Sequence, residues 1–251
     1  MSTSALSRRT TQEGDTGTTH VIARGESVLL TVADGPQRVQ IGAGRLVKPV
    51  LRLLSPGQTL IIAAGAAPVS LHAAAAILQR VPADLLRLLA FHDHAQGAQR
   101  ELCAGAQPCL QTVTADLHQS DAARHWLMEQ LQQQAAAFEP IAERWARTES
   151  YQLVRFVLET PDASVQQLAM RYGLSVAQFR RLSRKAFDRS LKEQLRLMRA
   201  GRVLLRYAET GESFTRLSSD FGFSSPSHFC CEIKALLGKA PSSIFRSVVP
   251  S

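Results

Sequence analysis

The chain of 251 residues is 45% hydrophobic and 20% charged, with a formal net charge of +8; it can bury the core of one or two domains and need be neither disordered nor stapled by disulfides. Its four cysteines, Cys103, Cys109, Cys230 and Cys231, are too few and too unevenly placed for a secreted disulfide framework. The first twenty residues lack the apolar run of a signal peptide, so a reducing cytoplasm is the expected compartment.

Residues 1–19, rich in Ser, Thr, Gly and charge, read as a mobile tail. From His20 to about Val81, short β-branched runs follow: Ser27 to Val32, Arg38 to Ile41 and Thr59 to Ile62. They are separated by Asp34-Gly35-Pro36, Gly42-Ala43-Gly44 and Ser55-Pro56-Gly57, which predicts a small β-rich unit. The 27 uncharged residues between Arg52 and Arg80 contain Pro56, Gly57, Gly65, Pro68 and His72. Their bulky groups come in short bursts, which suits buried strands and not a membrane span.

Pro82 opens a helical pattern through Leu85, Leu86, Leu88 and Leu89. A second, longer helix is predicted from about Asp121 to Trp145, with Ala122, Trp126, Leu127, Leu131 and Phe138 on one face and Glu129, Gln132, Gln133 and Gln134 on the other. Such a face needs a cover, and Trp126, Leu127 and Leu131 are expected at an interface with a second subunit or a partner protein.

The positive charge is uneven. Residues 1–147 hold 13 Lys/Arg against 12 Asp/Glu, whereas residues 148–251 hold 16 against 9. Arg171, Arg180, Arg181, Arg184, Lys185, Arg189, Lys192, Arg196, Arg199, Arg202 and Arg206 meet only Asp188 and Glu193 over that span, which makes a polyanion the natural partner. The same region is punctuated as helices: Ser164 caps one that Gly173 ends, and Ser175 caps the next, with Phe179 and Leu182 inward and the basic residues outward. This is helix-turn-helix geometry. A long helix from about Leu191 to Ala208, roughly 27 Å at 1.5 Å per residue, precedes a second copy. There Ser213, Leu217, Ser218, Gly222 and Ser224 repeat the first unit at an offset of 49 residues. The copy's second helix opens at Ser224-Ser225-Pro226, keeps Phe229, Ile233 and Leu237 on its buried side and stops at Gly238; Pro241 then opens a last short helix.

The string Gly222-Phe223-x-x-x-Ser227-x-Phe229, Lys234, Gly238, Pro241 and Arg246, with a helix-turn-helix 49 residues upstream, resembles the AraC/XylS family of bacterial transcription regulators over about residues 148–247. Ser224 to Phe229 with Glu232-Ile233-Lys234 and Leu237-Gly238 is similar to the family's invasion-regulator subgroup, which activates type III secretion genes. The resemblance implies an α+β chain. A β-rich regulatory and oligomerisation domain at residues 20–147, with helices near its end, precedes an all-α DNA-binding domain at residues 148–251, in which two helix-turn-helix units are joined by a long helix.

The resemblance also implies partners: double-stranded promoter DNA, RNA polymerase, a second copy of the chain, and a cytoplasmic secretion chaperone of the tetratricopeptide class in place of a small effector. It places base-contacting side chains at Ala177, Arg180 and Arg181, where arginine grips guanine O6 and N7 and alanine packs on a thymine methyl. Arg184, Lys185 and Arg199, with Ser175, Ser225 and Lys234, are expected at phosphate. The second unit departs from the family pattern, because the positions that commonly reach DNA hold Pro226, Ser227, Cys230 and Cys231. Ser227 is a competent donor there, and His228 either contacts DNA or fills the first helical turn. The first unit is therefore expected to supply most of the affinity; the second contributes a helix N-terminus at phosphate, a shape fit or the polymerase contact.

Two other functions compete with an activator of secretion genes. One is a regulator of metabolic or stress genes that responds to a small effector. The other is a metal enzyme built on His92-Asp93-His94 with Cys103 and Cys109, whose plainer reading is a loop with two small thiols. No nucleophile elbow, phosphate-binding glycine loop or standard zinc spacing is present, so neither catalysis nor a cofactor is expected.

Overall fold

The computed structural model describes residues 8–9, 17–32, 34–43, 49–74, 76–100 and 107–238. The chain divides into two compact units, Met1–Phe156 and Val157–Ser251. The helix expected after Pro241 lies outside the described residues.

The first unit is a sandwich of two antiparallel sheets. One runs in the order β1 (Arg8–Arg9), β2 (Thr18–Ile22), β7 (Val69–Ala73), β4 (Gln37–Ala43) and β5 (Val50–Leu54). The other runs β8 (Ala76–Arg80), β3 (Ser27–Val32), β6 (Thr59–Ala63) and β9 (Cys109–Val113). Alternate residues meet between the sheets: Val28, Leu30, Leu60 and Ile62 from one, Ile22, Val39, Ile41, Leu54 and Leu71 from the other. Leu29 and Ile61, on the opposite face of β3 and β6, are also fully buried. That two-sided burial is why both strands read as unbroken apolar runs. Ser55-Pro56-Gly57 makes the turn between β5 and β6; Gln58 donates its N–H to the Ser55 carbonyl at 3.1 Å, and Gly57 takes a φ of +79°, which a type II turn demands of its third residue.

Several expectations need correction. Thr18 and Thr19 belong to β2, and Arg8–Arg9 pairs with it, so the stretch read as a tail already contributes to the sheet. Gly42-Ala43 continues β4 and is not a break. The uncharged stretch read as buried strands is not buried throughout: Leu53 of β5, like Leu51 before it, is about two-thirds exposed.

Three helices pack in this unit: α1 (Ala83–Ala95), α2 (Ser120–Gln132) and α3 (Glu139–Ala146). The single helix predicted from Asp121 to Trp145 is two, because Gln134 turns at φ +48° and Pro140 starts α3 in its first turn. The break folds the apolar faces of α2 and α3 onto each other. Trp126, Phe138 and Trp145 stack edge to face with ring centroids 5.4 to 6.4 Å apart, while Leu127 and Leu131 are buried beside them. Trp126, Leu127 and Leu131, expected at an interface, are thus core residues of their own unit.

His92, Asp93 and His94 lie on α1 and not in a loop. The fully buried Asp93 accepts two hydrogen bonds from Arg100, at 2.6 and 2.8 Å, and one from the Tyr151 hydroxyl at 2.7 Å. Arg100 also bonds Glu139; burial alone would lower its pKa, but these carboxylate partners outweigh that and raise it. Burial first, then the Asp93 contact, pushes the Tyr151 phenol up. Asp93 is thereby a structural hub. Cys103 lies outside the described residues.

The next helix, α4 (Glu149–Glu159), carries the boundary between the units, where the sequence suggested residue 148. Tyr151 bonds Asp93, and Arg155 donates to the Ala98 carbonyl at 3.1 Å, which ties the first half of α4 to the sandwich unit.

The second unit is helical: α5 (Val165–Tyr172), α6 (Val176–Phe187), α7 (Leu191–Thr210), α8 (Phe214–Asp220) and α9 (Pro226–Leu237). Leu168, Phe179, Phe187 and Leu191 are buried in its first half. Ala200, Val203, Leu217, Phe223, Phe229 and Ile233 form the core of the second. Among the described residues no helix is long and apolar enough to cross a membrane.

Candidate nucleic-acid interface

The turn between α5 and α6 is set by two residues. Gly173 takes φ +76°, and Leu174 returns its N–H to the Ala169 carbonyl at 3.0 Å. Ser175 then starts α6 with a capping box: its Oγ accepts the Gln178 N–H at 3.3 Å, and Gln178 Oε1 accepts the Ser175 N–H at 3.2 Å. Two otherwise orphaned N–H groups are satisfied, so the helix start is rigid.

The second copy repeats the first half of this turn 49 residues later. Gly222 takes φ +72°, and Phe223 returns its N–H to the Ser218 carbonyl at 2.8 Å. The cap then slips by one residue. It is Ser225, and not Ser224, whose Oγ accepts the His228 N–H at 3.1 Å. Pro226 occupies the first helical position, where its missing N–H costs nothing. From there the copies align at 50 residues, Phe179 on Phe229, both fully buried.

Each helix exposes one stripe at spacings of three, four and seven. On α6 it is Ala177, Arg180, Arg181 and Arg184, with Lys185 beside it; on α9 it is Ser227, Cys230, Cys231 and Lys234, with His228 beside it. All the expected base-contacting residues therefore stand on exposed helix faces, and the two stripes are structural equivalents. The corresponding phosphate-contact residues are placed less uniformly. Arg184, Lys185, Lys234 and Ser175 are exposed and Ser225 is half-buried, but both serine hydroxyls are engaged in capping. Arg199 of α7 is half-buried, its guanidinium 6.0 Å over the Phe223 ring.

The basic residues separate into two groups. Arg171, Arg180, Arg181, Arg184, Lys185, Arg189 and Lys192 are exposed and have no ion pair among the described residues. Arg196 pairs with Glu232, Arg202 with Asp162 and Arg206 with Glu212. The unpaired charge thus gathers on α6 and its flanks, where a desolvated acidic neighbour would not have to be displaced before a phosphate binds.

The sequence reading missed the acidic partners. Glu232 is buried, Arg196 Nε bonds its Oε1, and His228 Nε2 lies 3.8 Å from its Oε2. Asp162 accepts from both terminal nitrogens of Arg202, at 3.2 and 2.5 Å, and those bonds hold its carboxyl below the usual carboxylate range. These partners sit 36 and 40 residues apart, and the available signal was only the repeat, which placed α9 and the approach to α5 against the same connecting helix.

Residues 168–247 match a family described as a helix-turn-helix domain. The chain is 35% identical to the invasion protein InvF of Salmonella typhi over 122 residues, 48% of this chain and 56% of that protein. It is 39% identical to the transcriptional regulator MxiE of Shigella flexneri over 95 residues, 36% of this chain and 45% of that one. The chain thus spans about half the length of the curated relatives it matches. Among solved structures, ToxT from Vibrio cholerae aligns with 91% of this chain and 97% of its own at 9% identity and a TM-score of 0.36.

Proposed function

We propose that the C-terminal domain is a helix-turn-helix domain of the AraC type and that the chain is a sequence-specific DNA-binding activator of type III secretion and virulence genes; the match of residues 168–247 to a helix-turn-helix family supports this reading. The observation that carries the proposal is the stripe of unpaired arginines on α6, held on a helix whose start is fixed by a capping box. Arg180 and Arg181 read base edges, Ala177 packs on a thymine methyl, and Arg184 and Lys185 grip phosphate. On α9, Ser227 and His228 meet base edges while Lys234 and the N-terminus at Ser225 face phosphate. Arg199 takes a phosphate from the flank of α7.

Similarity to an invasion protein of Salmonella typhi and to a transcriptional regulator of Shigella flexneri supports the virulence assignment. In this reading the protein works in the cytoplasm. The sandwich unit is the regulatory half, RNA polymerase is the downstream target, and a secretion chaperone of the tetratricopeptide class is the co-activator. Genomic DNA selection with purified full-length protein at about 150 mM salt, where non-specific phosphate binding is weak, tests this with and without such a chaperone. Sharp enrichment upstream of secretion genes is expected, with transcription from those sites dependent on the chaperone. Enrichment at unrelated metabolic promoters would remove the secretion assignment, and no enrichment would remove the DNA-reading role.

A further inference from the structure

Two of the ion pairs on α7 join elements far apart in sequence. Arg196 holds Glu232 of α9, and Arg202 holds Asp162 in the segment leading into α5. Arg202 also lies 5.4 Å over the ring of Phe221, in the turn before α9, and Arg199 lies 6.0 Å over Phe223 in the same turn. Within the stretch from Arg196 to Arg202, about 9 Å of helix, α7 therefore touches the entry to the first helix-turn-helix unit and both the turn and the recognition helix of the second.

The Glu232 side chain is only 7% exposed. Burying a carboxylate against arginine gains little net stability over an apolar pair, and the best-attested use of such a pair is to fix registry. Glu232 is also flanked by Cys231 and lies one turn beyond His228, so whatever fixes Glu232 fixes the rotation of the exposed α9 stripe.

We propose that Arg196–Glu232 and Arg202–Asp162 are spacing determinants. They lock the two recognition helices at one separation and one phase along α7, so that the domain accepts one spacing between its two half-sites. The proposal rests on the DNA-reading role above. A single base pair of insertion moves a half-site by about 3.4 Å and rotates it by about 34°, since a turn of roughly 34 Å holds about ten base pairs. A rigid pair of readers cannot follow that shift, whereas a hinged pair can.

The test is binding of the full-length protein to a duplex library in which the two half-sites, taken from the selected site, are separated by the native spacing or by one or two base pairs more or fewer. Wild type should favour the native spacing by about tenfold or more over its neighbours, the scale of one mismatched contact. Glu232→Gln should reduce that preference to about threefold or less while leaving the salt dependence unchanged, because no phosphate contact is lost. Asp162→Asn, at an exposed position that folding tolerates, should broaden the profile in the same direction by a smaller factor. The exchange Arg196→Glu with Glu232→Arg should restore the sharp profile.

A Glu232→Gln profile as sharp as wild type overturns the proposal, even if affinity falls, because a purely structural lesion weakens all spacings alike. If that variant fails to fold, Asp162→Asn decides, and an unchanged profile there overturns it. Wild type that binds the site at every spacing equally removes the clamp but not the DNA reading; wild type with no selected site at all removes the reading on which it stands.

Discussion

The two helix-turn-helix units share a backbone and differ in what they show to solvent. Both turn on a glycine with positive φ, both cap the second helix with serine, and both bury a phenylalanine on the inner face. Yet the equivalent outward stripes read Ala177, Arg180, Arg181, Arg184 and Ser227, Cys230, Cys231, Lys234. The difference teaches that the repeat is preserved where folding requires it and divergent where a ligand would be met. At two of the four equivalent positions arginine gives way to cysteine on the same scaffold. Arginine offers bidentate donors to guanine, while a thiol is a weak donor of small volume.

That comparison can be broken first at the core, where the largest effects are expected. Phe179→Ala and Phe229→Ala should each cost about 3 to 5 kcal/mol in denaturant unfolding, because each ring is fully buried. Markedly unequal losses would show that one unit merely leans on the other. The next effect belongs to the stripes. Arg181→Ala should lose about 1 to 3 kcal/mol of affinity for the cognate site and relax preference at one base pair. Its equivalent Cys231→Ala should change binding by less than about 0.5 kcal/mol, the ordinary scale of a surface substitution. Equal losses in a titration of both variants would erase the asymmetry. Lys185→Ala should weaken all sequences alike and reduce the slope of log affinity against log salt by about one; a change in base preference instead would move Lys185 from phosphate to a base edge.

Much of the scaffold behind these predictions is readable in the sequence, and the exceptions have physical causes. Ser27 to Val32 is a strand because a β-branched run buried on both faces has no helical alternative, and Ser164, Gly173 and Ser175 mark helix ends because few residues satisfy orphaned N–H groups or tolerate positive φ. The break between α2 and α3 was hidden because Phe138 falls seven residues after Leu131 and so imitates a continuing helical face. Pro140 was the only local warning. Exposed Leu51 and Leu53 were hidden because an apolar edge strand looks like a core strand until its neighbours are known. The one-residue slip of the second cap was undecidable from residue type, since Ser224 and Ser225 cap equally well; choosing Ser225 is what aligns Ser227, Cys230, Cys231 and Lys234 with the α6 stripe. Of the candidate interface, the cations were legible as a cluster, but which of them are neutralised was not, because Glu232 and Asp162 reach Arg196 and Arg202 only through tertiary packing.

The smallest effect separates the two tethers themselves. Glu232 is enclosed, whereas the Asp162 side chain is 77% exposed, so solvent screens the bond to Arg202 and its contribution to stability should stay below about 1 kcal/mol. Hydrogen bonding to Arg202 holds the Asp162 carboxyl below its ordinary value of 3.8, and the weaker effect of burial only partly opposes this. A carboxyl with a depressed folded-state pKa adds stability that is complete above the unfolded value and disappears as pH falls through the folded one. Wild type should therefore exceed Asp162→Asn by that small margin in urea unfolding at about pH 6, and the margin should disappear as pH falls through the lowered folded-state pKa, where both carry a neutral side chain at residue 162. A difference that persisted unchanged into acid would mean that Asp162 acts through its shape and backbone contacts, leaving Arg202 to hold the second unit through Phe221 alone.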